Sequence, residues 1–135
     1  MKSVFFYGLF MDQDLLREKG LNPHSMKQAY LTGFGLRIGE KATLERAEEE
    51  CSYGTVIQLE SDELERLYGS RGVEDYVPQS VLVAAMTGET IEAVSYILPM
   101  EKISGSNSEY AITLAGIAKK LDLPEDYIKE IEAWI

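Results

Sequence analysis

Apolar and polar positions fall into two regimes along this chain. As far as Leu98 the apolar residues come in short runs rich in β-branched and aromatic side chains, the pattern of strands. Beyond Pro99 they recur at helical spacing. Val4-Phe5-Phe6-Tyr7 stops at Gly8 and predicts a buried strand. Asp12 is placed to cap a short helix through Lys19, with Leu15 and Leu16 turned inward and Gly20 as its stop. From Gln28 to Ile38, aromatic and aliphatic residues mix with Gly33 and Gly35, and Gly39 follows. A strand with bulges or tight curvature is expected there. Tyr53 to Leu59 reads as another strand, after a loop from Gly39 to Tyr53, and Ser61-Asp62-Glu63 opens a helix that ends near Gly69. Pro78 to Met86 and Ile91 to Leu98 form an expected hairpin through Thr87-Gly88-Glu89-Thr90.

After a polar stretch from Lys102 to Ser108, a helix is predicted from Glu109 to Leu121, carrying Tyr110, Leu114, Ile117, Ala118 and Leu121. Asp122-Leu123-Pro124-Glu125 breaks it and caps a last helix, with Tyr127, Ile128, Ile131 and Trp134 on one face. That face reads as core packing, with an interaction surface as its alternative. No internal repeat, low-complexity tract or long linker divides the chain. The expected class is α+β, one domain over residues 1–135, built as a curved sheet or small barrel with helices after its first strand, in its middle and at its end.

The 135 residues are 45% hydrophobic and 27% charged, which excludes a disordered segment and allows a core with a lined pocket. Thirteen Lys and Arg against 23 Asp and Glu leave a net charge of -10, so phosphate backbones and anionic membranes are poor partners. Cys51 is the only cysteine and His24 the only histidine. An internal disulfide and a thiolate metal cluster are therefore ruled out. The Asn22-Pro23-His24-Ser25 surroundings argue against a nucleophile–base pair, and no calcium-loop spacing of acids occurs. The N-terminal apolar run is too short for a signal peptide, and no stretch approaches the roughly 20 apolar residues of a membrane span, so the expected location is cytoplasmic. Glu45-Arg46-Ala47-Glu48-Glu49-Glu50 reads as a solvated surface rather than as paired catalytic carboxylates.

Three separated segments together resemble the gamma-glutamylcyclotransferase-like family. The first is Phe6-Tyr7-Gly8-Leu9-Phe10. The second runs from Gly54-Thr55-Val56-Ile57-Gln58-Leu59 through Asp62-Glu63-Leu64-Glu65-Arg66-Leu67 to Gly72-Val73 and Tyr76. The third comprises Ser106, Tyr110, Gly116-Ile117-Ala118 and Leu123-Pro124-Glu125-Asp126-Tyr127. The resemblance implies a small mixed β-barrel flanked by helices, with one cavity at the barrel mouth. Active members fold the free amine of a gamma-glutamyl compound onto its gamma-carbonyl, releasing 5-oxoproline and an amine, without metal or cofactor. The family's main-chain N–H groups that hold the substrate carboxylate map to Gly8, Leu9 and Phe10, next to Tyr7, and its cavity tyrosines map to Tyr76, Tyr96 and Tyr110. A strand that breaks at glycine also leaves unpaired N–H groups suited to an anion.

The same resemblance places the family's proton-accepting Glu directly before the Gly-Val pair, where this chain has Arg71. Arginine stays protonated and is no base. Loss of a general base costs about 10²- to 10⁴-fold in rate. Glu74, Asp75 and Glu40 are the acids available to replace it; ordinary loop acids, pairing with Arg71 itself, are the alternative for Glu74 and Asp75. The sequence thus implies a pocket for a small carboxylate, phosphate-bearing or gamma-glutamyl-type ligand in a lapsed enzyme. Its alternatives are an active cyclotransferase with a relocated acid and a non-enzymatic interaction module. The ligand's identity and the oligomeric state stay open.

Overall fold

The computed structural model describes residues 1–70 and 72–135. Five strands close into a barrel: β1 (Lys2–Phe6), β2 (Met26–Ile38), β3 (Ala42–Leu59), β4 (Val77–Ala85) and β5 (Thr90–Ile97). Their order around the barrel is β1-β3-β2-β4-β5. Neighbours run antiparallel except β1 and β5, which meet in parallel at Val4 and Val94, so the barrel is mixed. Four helices accompany it: α1 (Gln13–Glu18), α2 (Ser61–Tyr68), α3 (Ser108–Lys120) and α4 (Glu125–Glu132). The α+β barrel with flanking helices is the expected class.

The early segments form as the sequence predicts. β1 buries Val4, Phe5 and Phe6, and the Asp12 carboxylate caps α1 by accepting the Asp14 N–H at 3.0 Å. Leu16 is fully buried, whereas Leu15 is only half-buried. In β2 the glycine signal marks a real bulge: the register shifts between Thr32 and Phe34, where Gly33 takes φ +85. The helix α2 is capped one residue earlier than the sequence suggested, because the Glu63 carboxylate reaches back to the Glu60 N–H at 3.0 Å.

The stretch from Gly39 to Tyr53, expected to be a loop, is largely strand. β3 begins at Ala42 and pairs with β2 from Ile38↔Ala42 through Phe34↔Arg46, then beyond the bulge from Thr32↔Cys51 to Met26↔Ile57. Ladder bonding with β2 carries Glu45 and Arg46 into the strand despite their low strand propensity, while Ala47 to Glu50 fall in the register shift and have no β2 partner. Most of that run faces water as expected, but Glu45 and Glu50 converge on one guanidinium, that of Arg37, at 3.0 and 2.8 Å.

The core fills the barrel and extends beneath α3 and α4 through Leu114, Ile117, Ala118, Tyr127, Ile128 and Ile131. Tyr127 and Ile131 are buried, so the last helix spends its apolar face on the core; only Trp134, past the helix end, is 40% exposed. No helix among the described residues is long and apolar enough to cross a membrane.

Candidate functional site

Where β1 leaves the barrel at Tyr7, the chain turns through a single 3-10 turn, Leu9–Met11, before α1. Three contacts fix this turn. The Thr55 hydroxyl donates to the Met11 carbonyl at 2.9 Å, and the Lys120 ammonium grips the Asp12 and Asp14 carboxylates at 2.9 and 2.8 Å. Gly8 is required by a close approach, since a Cβ there would lie 2.6 Å from the Tyr110 hydroxyl oxygen. No backbone carbonyl among the described residues accepts from the N–H of Leu9 or Phe10.

This turn forms one side of a cavity of about 190 Å³. The opposing wall is aromatic: Tyr68 from the end of α2, Tyr76 before β4, Tyr96 from β5 and Tyr110 from α3. Tyr68 and Tyr96 stack with ring centroids 3.8 Å apart, and Phe10 meets Tyr68 edge-on at 6.3 Å. Hydrogen bonds fix the ring tips: Tyr7 donates to the Tyr96 carbonyl at 2.7 Å and Tyr76 donates to the Ala42 carbonyl. Burial raises the Tyr7, Tyr68 and Tyr76 hydroxyls well above the ordinary tyrosine range. Burial also pushes Tyr110 up to about 12, against the opposing effect of the Leu9 N–H beside its oxygen. At neutral pH these groups are uncharged donors and acceptors, not bases.

The remaining rim is the β2–β3 turn, with Glu40, Lys41 and Ala42. Its backbone is clamped to the loop before α3: the Glu40 N–H donates to the Ser104 carbonyl at 2.8 Å, and Asn107 Nδ2 donates to the Glu40 carbonyl at 3.1 Å. The Asn107 side chain also accepts the Tyr110 N–H at 3.0 Å, capping α3. Among the described residues Glu40 is the one carboxylate, and Lys41 the one cation, lining the cavity.

The structure therefore brings Tyr7, Gly8, Leu9, Phe10, Tyr76, Tyr96 and Tyr110 around a single cavity. Of the three acids considered for proton transfer, only Glu40 lines it. Glu74 instead accepts the Gly72 N–H at 2.6 Å, and Asp75 pairs with Lys102 at 3.3 Å. Arg71, at the family's Glu position, lies outside the described residues. Tyr68 was missed because an aromatic residue at the end of a helix reads as core. No group of three or more His, Cys, Asp or Glu side chains among the described residues is arranged to hold a metal ion.

A small closed mixed barrel of this kind is the fold of solved gamma-glutamyl cyclotransferases. A solved structure named gamma-glutamyl cyclotransferase superposes with a TM-score of 0.77 at 22% identity, covering 99% of this chain and 88% of its own. An uncharacterised protein from Homo sapiens does so with 0.78 at 24% identity, over 99% and 88% of the two chains. A yeast gamma-glutamyl cyclotransferase specific to glutathione gives 0.68 at 14% identity, over 98% and 94%. Likeness at these identities is likeness of fold. No curated protein matches the chain in sequence. The family model described as AIG2-like matches residues 52–131, more than half of the chain, and the chain belongs to the AIG2-like family.

Proposed function

We propose that the tyrosine-lined cavity binds a small carboxylate-bearing ligand of the gamma-glutamyl or amino-acid type without cyclising it. The carrying observation is that the strand-end turn, whose Phe10 N–H meets no backbone carbonyl and whose Leu9 N–H lies beside the Tyr110 hydroxyl oxygen, faces the same hollow as Tyr7, Tyr76, Tyr96 and Tyr110. Such N–H groups receive an anion without the cost of bringing a charged side chain into the site. Size supports the class of ligand. At about 190 Å³ the hollow falls below the roughly 300–1,000 Å³ of drug-sized ligand pockets and suits an acyl or amino-acid group rather than a nucleotide. The absence of turnover rests on the sequence: Arg71 stands where relatives of the resemblance carry Glu, and a guanidinium accepts no proton.

A second reading, an active cyclotransferase, is favoured by the position of Glu40 on the cavity rim. There the ligand's ammonium would lose a proton to the Glu40 carboxylate. The freed amine would attack the gamma-carbonyl carbon, forming the ring C–N bond as the amide C–N bond breaks. The proton would return to the departing amine, and 5-oxoproline would be released.

Calorimetry with gamma-glutamyl amino acids, dicarboxylates and a nucleotide tests binding, and 5-oxoproline release tests turnover. Saturable binding of gamma-glutamyl amino acids without release supports the first reading, most directly if Arg71→Glu then gains activity. Release by the natural protein that falls about 10²-fold or more in Glu40→Gln supports the second. No binding of any carboxylate overturns both.

A further inference from the structure

A second concavity, about 340 Å³, lies between the far part of the β2–β3 hairpin and the end of α4, and shares no lining residue with the tyrosine cavity. The hairpin contributes Arg37, Glu50 and Cys51; the helix and the turn after it contribute Tyr127, Glu130 and Trp134. We propose that this groove is a binding site for a primary alkylammonium group.

Charge points to a cation. The Arg37 guanidinium is already committed, donating from Nε to Glu45 at 3.0 Å and from its two terminal nitrogens to Glu50 at 2.9 and 2.8 Å. It is therefore a poor partner for an incoming anion. Glu130 makes no ion pair among the described residues, yet its charge lies close enough to raise the Cys51 thiol and the Tyr127 hydroxyl beyond the effect of burial. Arg37 with two carboxylates plus Glu130 leaves this part of a chain of net charge -10 negative as well.

Aromatic and polar groups point to an organic cation that still carries N–H. Trp134 is 40% exposed beside Glu130, and an indole face attracts ammonium groups. The Tyr127 side chain lines the groove while only 3% exposed, and its buried hydroxyl makes no hydrogen bond of normal geometry among the described residues, although the Tyr53 N–H lies near its oxygen. A buried hydroxyl so placed keeps bonding capacity for a ligand. A primary ammonium uses it by donating to the Tyr127 oxygen, whereas a quaternary ammonium has no proton to donate. A metal ion is the poorer occupant, since no metal-holding group of side chains occurs among the described residues.

Trp134 is the only tryptophan, so fluorescence excited at 295 nm, where the eight tyrosines hardly absorb, reports on this groove. Titration of the whole protein with n-butylammonium chloride, against sodium chloride at matched ionic strength, is expected to give a saturable change and to slow alkylation of Cys51 by iodoacetamide. Glu130→Gln, an exposed substitution that leaves the fold intact, is expected to weaken the response at least tenfold. Tyr127→Phe is expected to reduce n-butylammonium to the affinity of tetramethylammonium. A response that matches sodium chloride, or one that saturates equally well in Glu130→Gln, overturns the proposal.

Discussion

Thr43 gives the sharpest quantitative test of how the barrel mouth is held. Its side chain is fully buried beside the cavity rim; its hydroxyl donates to the Leu98 carbonyl at 2.6 Å and accepts the Leu98 N–H at 2.9 Å. One oxygen thus joins the start of β3 to the residue after β5, satisfying both polar groups of a residue only 2% exposed. Thr43→Val keeps the shape and removes both bonds. Each orphaned backbone group costs about 1–3 kcal/mol, so for the two a loss of roughly 2–6 kcal/mol is expected, with no cavity contribution. Thr43→Ser is the control: it keeps the hydroxyl and deletes one methyl, for about 1 kcal/mol. Urea unfolding followed by circular dichroism reads both. The midpoint should fall further for Val than for Ser, with the slope unchanged if only stability is altered. A Val variant at least as stable as the Ser variant would refute the reasoning, because the hydroxyl would then not be stabilising Leu98.

Three further expectations follow from the same geometry. Gly54→Ala should destabilise the fold by about 3 kcal/mol or more, readable as a lowered melting temperature, because the added carbon would lie 3.0 Å from the Phe6 carbonyl carbon and 3.2 Å from Tyr7 Cα, both backbone atoms. The cavity tyrosines should show delayed ionisation at 295 nm. Burial raises Tyr7, Tyr68, Tyr76 and Tyr110 in the folded state, so their contribution to stability is complete below pH about 10 and is lost as pH climbs beyond it. Full ionisation of all eight tyrosines near pH 10 with the fold intact would contradict this. At the acid end, burial alone would raise Glu63, but the N–H groups of Glu60 and Asn22 outweigh it and hold it below the usual carboxylate range. Its stabilisation is therefore present above pH about 4.5 and lost below, and Glu63→Gln should flatten the acid limb of an unfolding curve.

The strands and helices that carry their own local signal were legible: β1 from its aromatic run, the β2 bulge from Gly33, and α1 from Asp12. The first half of β3 was not. Residues 45–50 are mostly acidic; Glu45 and Arg46 are strand because they pair with β2, and Ala47 to Glu50 bridge the register shift between two paired stretches, facts about another segment rather than about their own side chains. The site divides in the same way. Residues of the Tyr-Gly turn and three tyrosines follow from motif resemblance, and all of them meet at one cavity. Tyr68 joins them because α2 ends at the barrel mouth, and Glu40 because the β2–β3 turn is bonded to Ser104 and Asn107; no spacing along the chain encodes either. Glu74 and Asp75, nearer in sequence to the Gly-Val pair, turn to the Gly72 N–H and to Lys102 instead.

The barrel is stitched unevenly. β4 and β5 pair with each other along eight register positions, yet their register with the other strands is limited to Ala29↔Ala85, Tyr30↔Ala84 and Val4↔Val94, backed by single bonds such as Ser95 Oγ to the Phe5 carbonyl. A ribbon fastened firmly to itself and lightly at its borders peels as one piece, so its outer seams should exchange amide hydrogens before its inner ladder does. Tyr96 rides on that ribbon, and its backbone carbonyl receives the Tyr7 hydroxyl. Peeling would thus part the aromatic wall from the strand-end turn and widen the hollow between them.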